Sequence, residues 1–321
     1  MEEVKLQKRI IGISDIFLLI SIFLIALLIS CDQTTAPVSN DEFIVKEFNL
    51  INLNFRDLPY VSYSPKYLDL NYKTDSAGVQ IFYYNGKYYY HPVQLAQWII
   101  MFVDSYYLVK NEEHLKKAKL FTDKLIEIST FEKEALFFPY NFDFPLHGKR
   151  DQMMLAPWYS CMAQGQILSA FVRLYRVTSI EAYLAYARKI FRSFTVLKNN
   201  NEIWVSMVDE NKYLWFEEYP MNDEPNHTLN GFIFAIYGLY EYYWVTKSTE
   251  CKKYLFAALA TIEEYIDDFR NPGDISYYCL KHKEKNREYH KVHTEQLEFL
   301  YKFTKYEYFK YMHDLFYLDY H

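Results

Sequence analysis

Apolar positions recur at spacings of three and four along most of this 321-residue chain, which is the period of an amphipathic helix. The pattern starts at Pro92, a residue favoured in the first helical turn, and continues through Val93, Ala96, Ile99 and Val103. It recurs as four helix pairs, each joined by a short polar turn. The predicted pairs are 92–110 with 112–129, 161–177 with 179–196, 227–246 with 249–269, and 291–304 with 306–318.

The segments between the pairs are longer and contain proline, glycine or asparagine. Antiparallel pairs that begin about 65 residues apart are typical of an (α/α) toroid or incomplete barrel, whose functional loops gather at one end. Upstream, residues 79–92 read VQIFYYNGKYYYHP, with Asn85 and Gly86 between two aromatic-rich runs, a strong β-hairpin signal. We therefore predict a mainly α fold of helix hairpins, preceded by an aromatic β-hairpin.

The first 30 residues have the pattern of a secretory signal peptide. Lys5, Lys8 and Arg9 precede an apolar run at 16–30 that is short for a membrane span. The run closes on LISC, which resembles a bacterial lipobox, so we expect Cys31 to be lipidated and to become the first mature residue. An uncleaved membrane anchor is the alternative. These features predict secretion across the cytoplasmic membrane and a lipid anchor in a bacterial cell envelope.

The predicted organisation is a signal peptide at 1–30, a polar tether at 31–45 and an (α/α) domain at 46–321. The chain has 35 Lys and Arg against 41 Asp and Glu, a formal net charge of -6, which argues against a nucleic-acid partner. Its remaining cysteines show no CxxC spacing, so we expect one disulfide bridge at most and no cysteine zinc site. These cysteines are Cys161, Cys251 and Cys279.

Residues that can carry chemistry concentrate in stretches between the helices. These stretches are PWYSCMAQGQ (157–166), LWFEEYP (214–220), YCLKH (278–282) and EYHKVHTEQL (288–297). Ser160 could cap the helix that the first stretch opens, and Gly165 indicates the close approach of a ligand or another helix. His290 and His293 lack HExxH spacing and an acidic third ligand, so we predict neither a metal site nor a cofactor.

The ordered motifs resemble those of the D-glucuronyl C5-epimerases, which convert glucuronate to iduronate within heparan-type chains. PWYSCMAQGQ is similar to the family's WYSxMAQGQ, and WFEEYP followed by LNGF at 229–232 is similar to its WYEEYP and LNGF. IYGLYEY at 236–242, YCLKH and EYHKVHTEQL continue the agreement in order, with IGLYDL, YDLRH and DYHTTHINQL as counterparts. Upstream, YYYHPVQLAQW resembles YFYPIQIAQY. The resemblance spans roughly residues 80 to 305 and identifies 46–321 as an epimerase-like catalytic domain.

The resemblance implies a cleft for an anionic polysaccharide and a set of proton-transfer residues. Epimerisation at carbon 5 removes a proton beside the carboxylate and returns one to the opposite face of the ring, which requires two groups. The implied catalytic residues are Glu218, Tyr219, Tyr278 and Tyr289. The implied substrate-binding residues are Lys281, His282, Arg287, His290, Gln164, Gln166, Tyr159, Tyr90 and Gln94.

The surroundings of these residues suggest how they work. Glu218 lies among aromatic residues, and desolvation there should raise its pKa toward a range useful for proton transfer. A tyrosine acting as base needs a nearby cation, and the segment from Lys281 to His290 supplies several. Lys281 replaces the arginine of YDLRH, so it cannot form a bidentate contact with a carboxylate. The animal enzymes insert a β-sandwich domain between the hairpin and PWYSC, and the short spacing here leads us to expect that this chain lacks that domain.

Three functions agree with these features. The first is a polyuronate C5-epimerase, and the second is a polysaccharide lyase that forms the same carbanion but expels the substituent at carbon 4. The third is a lipid-anchored glycan-binding protein without turnover. The expected partners are an anionic polyuronate and the membrane, which the chain reaches through its N-terminal lipid, and a homodimer is compatible with the sequence.

Overall fold

Antiparallel helix pairs make up most of the chain in a computed structural model, which describes residues 43–61, 64–65, 68, 72–199 and 201–321. The predicted signal peptide, Cys31 and the tether up to residue 42 lie outside the described residues. The tether was predicted to reach residue 45, but the Phe43 ring is already buried, with its centroid 5.2 Å from that of Tyr254. Within the described ranges, no helix has the length and apolarity needed to cross a membrane.

The predicted helices form with boundaries shifted by a few residues, which confirms the (α/α) prediction. In chain order they are α1 (Pro92–Val109), α2 (Glu112–Ile128), α3 (Cys161–Thr178), α4 (Glu181–Ser193), α5 (Leu229–Thr246), α6 (Thr249–Phe269), α7 (Arg287–Thr304) and α8 (Glu307–Asp319). The first helix of each pair contacts the first helix of the next, in the order α1, α3, α5, α7. These four are the inner helices, and their partners α2, α4, α6 and α8 return the chain to the same end.

The turns within the four pairs share one conformation. Each inner helix ends on a residue with φ between 53° and 57°, whose backbone N–H donates to the carbonyl four residues earlier. The four residues are Lys110, Ser179, Lys247 and Lys305. This left-handed cap closes the helix and reverses the chain, so all four inner helices start at the same end of the fold.

Short hairpins occupy that end. The predicted hairpin forms from β1 (Phe82–Tyr84) and β2 (Lys87–Tyr89), with Tyr84 opposite Lys87. Asn85 and Gly86 have φ of 47° and 83°, which is the geometry of a type I′ turn. The other strands pair in sequence order as β3 (Thr130–Glu132) with β4 (Ala135–Phe137), β5 (Phe144–Pro145) with β6 (Met153–Met154), and β7 (Ser206–Val208) with β8 (Leu214–Phe216).

A buried ion cluster joins the inner helices near their other end. Arg173 on α3 is fully buried and donates through Nε and Nη2 to the two carboxylate oxygens of Glu241 on α5, both at 2.8 Å. It also contacts Asp104 on α1 and donates to the carbonyl of Pro59. Paired and hydrogen-bonded in this way, the buried charge ties three inner helices and the N-terminal segment together.

The inner helices α3 and α5 approach most closely through two glycines. A Cβ built on Gly165 would lie 2.5 Å from Cα of Ala235, and one built on Gly238 would overlap the carbonyl of Gly165. Of the two explanations for Gly165 that the sequence left open, the structure therefore shows contact with another helix.

We predict that Gly238→Ala lowers the free energy of unfolding by about 1–3 kcal/mol, because the methyl group must push two helices apart. This loss should appear although alanine is the better helix former. Chemical denaturation checks it, with Ala185→Leu on the exposed face of α4 as a control that adds volume without a clash. Equal stability of wild type and Gly238→Ala would contradict the close approach.

Candidate active site

A cleft of about 300 Å³ lies where the inner helices begin. Its walls come from the β1–β2 hairpin, the first turns of α1, α3 and α7, and the segment that follows β8. The lining residues are Phe82, Tyr84, His91, Val93, Gln94, Tyr140, Phe142, Phe144, Trp158, Ser160, Met162, Glu218, Tyr219 and Tyr289. None of these is Lys or Arg, and most are aromatic, which suits the faces of a sugar ring.

The backbone around the two tandem glutamates is fixed by hydrogen bonds. β8 is buried on both faces, and the Glu217 N–H donates to the Val205 carbonyl at 2.8 Å. The Glu217 carbonyl accepts from the Cys161 N–H, at the first residue of α3, at 2.9 Å. Consecutive side chains of an extended chain point in opposite directions, so Glu217 and Glu218 enter different environments.

Glu217 has a structural role. Its side chain is fully buried, one oxygen lies 2.6 Å from Nδ1 of His227, and the other accepts the His227 backbone N–H at 3.1 Å. The His227 ring stacks on Trp215 with centroids 3.9 Å apart. Glu217 therefore secures the loop before α5, and its hydrogen-bonding capacity is used within the protein.

Glu218 faces the cleft and has no comparable charged partner. Its side chain is 5% exposed, and the Tyr278 hydroxyl donates to Oε1 at 3.4 Å. A Cβ on Gly231, in the first turn of α5, would lie 2.6 Å from Cβ of Glu218 and would overlap its Oε2. Glycine is needed at 231 because the carboxylate occupies the space that any larger side chain would fill.

Burial raises the pKa of Glu218 from 4.5 to about 7. Hydrogen bonds from Tyr219 and Tyr278, together with the Gly231 N–H, favour the ionised form, but they do not outweigh desolvation. A carboxyl group with this pKa exists in both protonation states near neutral pH. It can therefore accept a proton or donate one, which is the property required of an acid–base catalyst.

Three tyrosines surround this carboxylate. The hydroxyls of Tyr219 and Tyr278 are 3.2 Å apart, and the ring of Tyr289 lies 4.6 Å from that of Tyr278. Burial, followed by the negative charge of Glu218, raises the pKa of all three phenols above the ordinary value of 10. They are neutral proton donors at physiological pH, and the phenolate that the sequence suggested is disfavoured.

The cleft is also lined by residues that the sequence did not single out as ligands. His91 caps α1, with Nδ1 accepting the Gln94 N–H at 3.4 Å, so Nε2 carries the ring proton. Burial lowers the pKa of His91 to about 4, which keeps the ring neutral. Ser160 precedes α3 and makes no side-chain cap, which leaves its hydroxyl at the cleft wall. The signal for both was a polar residue directly before an inner helix.

Of the five glutamine and tyrosine residues implied as substrate ligands, Gln94 lines the cleft and the other four do not. Gln164 is buried and bonds to the backbone of Leu136 and Phe138 and to Ser193. Gln166 is also fully buried, and Tyr159 contacts Thr130. The Tyr90 hydroxyl donates to Asp75 at 2.7 Å. Their role in substrate binding stays a prediction that these contacts do not favour, because residues next to a cleft in sequence alternate between facing it and facing the core.

The predicted cations also lie away from the carboxylate. Lys281 pairs with Glu224 at 3.4 Å, and the Arg287 guanidinium lies over the ring of Tyr320. His290 is buried between the backbone N–H of Ser276 and the carbonyl of Tyr320, where burial lowers its pKa. His282 bonds to Asn226. That this segment neutralises the substrate stays a prediction, and the partners that its side chains have within the protein do not favour it.

Comparison with known proteins shows which family this chain resembles. A family model described as D-glucuronyl C5-epimerase C-terminus matches residues 132–317. An uncharacterised protein of Methanocaldococcus jannaschii is 27% identical over 202 residues, which is 60% of this chain and 63% of that protein. A D-glucuronyl C5-epimerase of Caenorhabditis elegans is 31% identical over 91 residues, which is 28% of this chain and 14% of that protein.

Solved structures share the fold. Cellobiose 2-epimerase from Bacillus thermoamylovorans superposes with a TM-score of 0.50 at 14% identity, over 71% of this chain and 58% of that one. At this identity the likeness shows the (α/α) architecture. The chain spans less than two thirds of the length of the curated relatives that it matches.

The raised pKa of Glu218 predicts a specific dependence of stability on pH. Because the folded-state pKa of about 7 lies above the ordinary 4.5, the folded protein binds this proton more tightly than the unfolded chain does. Relative to Glu218→Gln, the wild type should lose roughly 3 kcal/mol of unfolding free energy as pH rises from about 4.5 to about 7, with no further loss above.

Denaturation of both proteins at several pH values measures this difference. Glu298→Gln, the same change at an exposed position of α7, serves as the control. A difference between wild type and Glu218→Gln that stays constant between pH 4.5 and 7 would show that Glu218 titrates as an ordinary carboxylate.

Proposed function

The chain belongs to the D-glucuronyl C5-epimerase C-terminal family, and we propose that it inverts carbon 5 of uronate residues within an anionic polysaccharide. The observation that carries the proposal is a buried carboxylate, Glu218, with a pKa of about 7, facing a cleft beside neutral phenols. The proton at carbon 5 of a uronate is weakly acidic because the adjacent carboxylate delocalises the carbanion. Its removal requires a positioned base, and its replacement requires an acid on the other face.

Glu218 and Tyr289 are the pair that supports reaction from both faces. Tyr278 hydrogen-bonds to Glu218, and no sugar ring fits between atoms 3.4 Å apart, so Tyr278 acts from the same face as Glu218. Tyr289 lines the cleft and is more exposed than Tyr278. For one starting epimer, ionised Glu218 takes the proton from carbon 5, and the Tyr289 hydroxyl delivers one to the opposite face.

The charges balance over this cycle. The carbon–hydrogen bond breaks and its electron pair passes into the substrate carboxylate as an enediolate. That pair then forms a new carbon–hydrogen bond with the proton of Tyr289, while Glu218 keeps the first proton. Exchange of both groups with solvent resets the site, and the Tyr219–Tyr278 hydroxyl contact gives a hydrogen-bonded route for that exchange.

Helix N-termini supply positive potential at the cleft, which the lysine and arginine side chains predicted from the sequence do not supply. The first turns of α1, α3 and α7 line the cleft, and the first turn of α5 lies directly behind Glu218. Several N–H groups of these first turns already bond within the protein, but each helix start presents the positive end of its dipole, which favours a bound carboxylate. Gln94 and Ser160 lie at two of these starts and are the side chains that we propose hydrogen-bond the substrate.

A panel of polyuronates incubated in deuterated water tests the activity. We predict deuterium at carbon 5 with inversion and no chain cleavage in wild type, and loss of inversion by at least about 100-fold in Glu218→Gln and in Tyr289→Phe. The variant that lacks the acid of the far face should still exchange with retention, since its base is intact. The variant that lacks the base should neither exchange nor invert.

The outcomes distinguish the alternatives. An unsaturated product means a lyase, and binding without exchange means a glycan-binding protein. Tyr277→Phe, the same chemical change at a tyrosine outside the cleft whose hydroxyl donates to Asn271, is the matched control. Near-wild-type inversion by Glu218→Gln on a verified substrate would contradict the proposed role of Glu218.

Substrate affinity should depend on the helix starts more than on the lysine of YCLKH. We predict that Gln94→Ala raises KM about tenfold, since it removes a hydrogen bond to a charged group. Lys281→Met should leave KM within about twofold, because Lys281 pairs with Glu224 outside the cleft. Initial rates on the substrate identified above measure both, and a larger effect at Lys281 than at Gln94 would overturn this assignment.

A further inference from the structure

Three metal-ligating side chains meet beside the candidate active site. His147, Cys279 and His282 each offer one ligand atom, and these atoms all lie within 4.8 Å of one another. Nε2 of His147 is 3.7 Å from Sγ of Cys279, and Nδ1 of His282 is 3.8 Å from the same sulfur. Ligands of a tetrahedral zinc ion lie about 3.4–3.6 Å apart, given bond lengths of roughly 2.0–2.3 Å. The two sulfur–nitrogen distances need to shorten only slightly.

Cys279 and His282 are held in one tight turn. Cys279 pairs with Thr228 in an antiparallel bridge, and the Lys283 N–H donates to the Cys279 carbonyl at 3.0 Å. On the other side of the turn, the N–H of Leu280 donates to His227 at 3.2 Å. The backbone therefore fixes the C-x-x-H spacing before any ligand binds, which lowers the entropy lost on metal binding.

Hydrogen bonds also orient both imidazoles. Nδ1 of His147 lies 2.9 Å from Oε1 of Gln152, so the Nδ1–H donates there and leaves the Nε2 lone pair toward the sulfur. Asn226 donates to Thr228 at 2.6 Å, which places its oxygen 2.9 Å from Nδ1 of His282. That oxygen accepts the Nδ1–H of metal-free His282. When Nδ1 binds a metal, the ring carries its proton on Nε2 instead and this hydrogen bond is given up.

The third ligand comes from a separate segment. His147 lies 132 residues before Cys279 and has φ of 55°, a left-handed conformation that is uncommon for histidine. Lys149 from the same segment pairs with Glu284 at 2.5 Å, just beyond the C-x-x-H turn. Two independent contacts therefore bring these segments together. Cys279 is buried while both histidines are partly exposed, so the cluster is accessible from solvent.

We propose that His147, Cys279 and His282 form a zinc site with a fourth position open beside Asn226. One thiolate and two imidazoles match the ligand preference of Zn²⁺, and binding releases the Cys279 proton to solvent. The ion joins the segment of His147 to the turn that follows Tyr278. The ring of Tyr278 lies 6.0 Å from the ring of His147. The ion acts as a positioning element for Tyr278 and does not touch the reacting carbon. The proposal that these residues bind zinc does not rest on the proposed epimerase activity.

Metal content and cobalt spectroscopy test the site without any activity measurement. Full-length protein loaded with zinc and desalted should hold one zinc per chain. Cobalt substitution should give intense visible bands of a tetrahedral ion and a near-ultraviolet thiolate-to-cobalt charge-transfer band. Cys279→Ser and His147→Gln should each weaken zinc affinity at least about 100-fold, and Gln152→Ala about tenfold through loss of the orienting hydrogen bond.

Matched controls separate this site from nonspecific binding. Cys251→Ser, at a cysteine outside the cluster, and His313→Gln, at a surface histidine, should retain the zinc. Adding a chelator should lower the Tm of wild type but leave the Tm of Cys279→Ser unchanged. A cobalt spectrum of wild type without a thiolate band would overturn the proposal, even if a variant fails to fold. Equal zinc content in wild type and Cys279→Ser would also overturn it.

Discussion

The burial of one carboxylate at the start of four inner helices is the constraint on which this structure depends. Glu218 lies between the strand that holds Glu217 and the first turn of α5, where Gly231 leaves it room. Removing an ionised carboxylate from water is costly, and the protein supplies hydroxyls and helix N–H groups in place of a cation. The result is a carboxyl group near half-ionisation at neutral pH, next to phenols that remain protonated. A carboxyl group that can accept or donate a proton, beside phenols that can donate one, is suited to proton transfer from and to the carbon atom of a carbon acid.

The fold around this site contains four helix pairs that share the same turn. Each inner helix ends in a left-handed cap and its partner returns the chain, so every inner helix directs its N-terminus to the same cleft. At the other end, the Arg173 cluster joins α1, α3 and α5. Under the proposed function, helix starts and aromatic faces hold the anionic glycan, which is how a chain with a net charge of -6 would bind another polyanion.

The helices, the hairpin and the burial of Glu218 among aromatic residues follow from local patterns in the sequence. Apolar spacing places each helix within a few residues, and Asn85-Gly86 determines the turn of the hairpin. The direction of each side chain could not be predicted from local patterns. Gln164 hydrogen-bonds to Leu136 and Phe138, and Tyr90 hydrogen-bonds to Asp75, and no local pattern reveals these partners. Long-range pairs such as Lys281 with Glu224 likewise depend on how loops meet. The contact between His147 and Cys279 joins residues 132 positions apart, so sequence spacing gave no sign of a metal site.

The central claim is that the reacting carbon of a uronate lies between Glu218 and Tyr289. A crystal structure of the Glu218→Gln variant with the shortest bound substrate tests this most directly, because the variant retains volume while chemistry stops. We predict carbon 5 at about 3–3.5 Å from both the side chain at position 218 and the Tyr289 hydroxyl, on opposite faces of the ring. A uronate ring bound with carbon 5 facing neither residue, or with both on one face, would contradict the account.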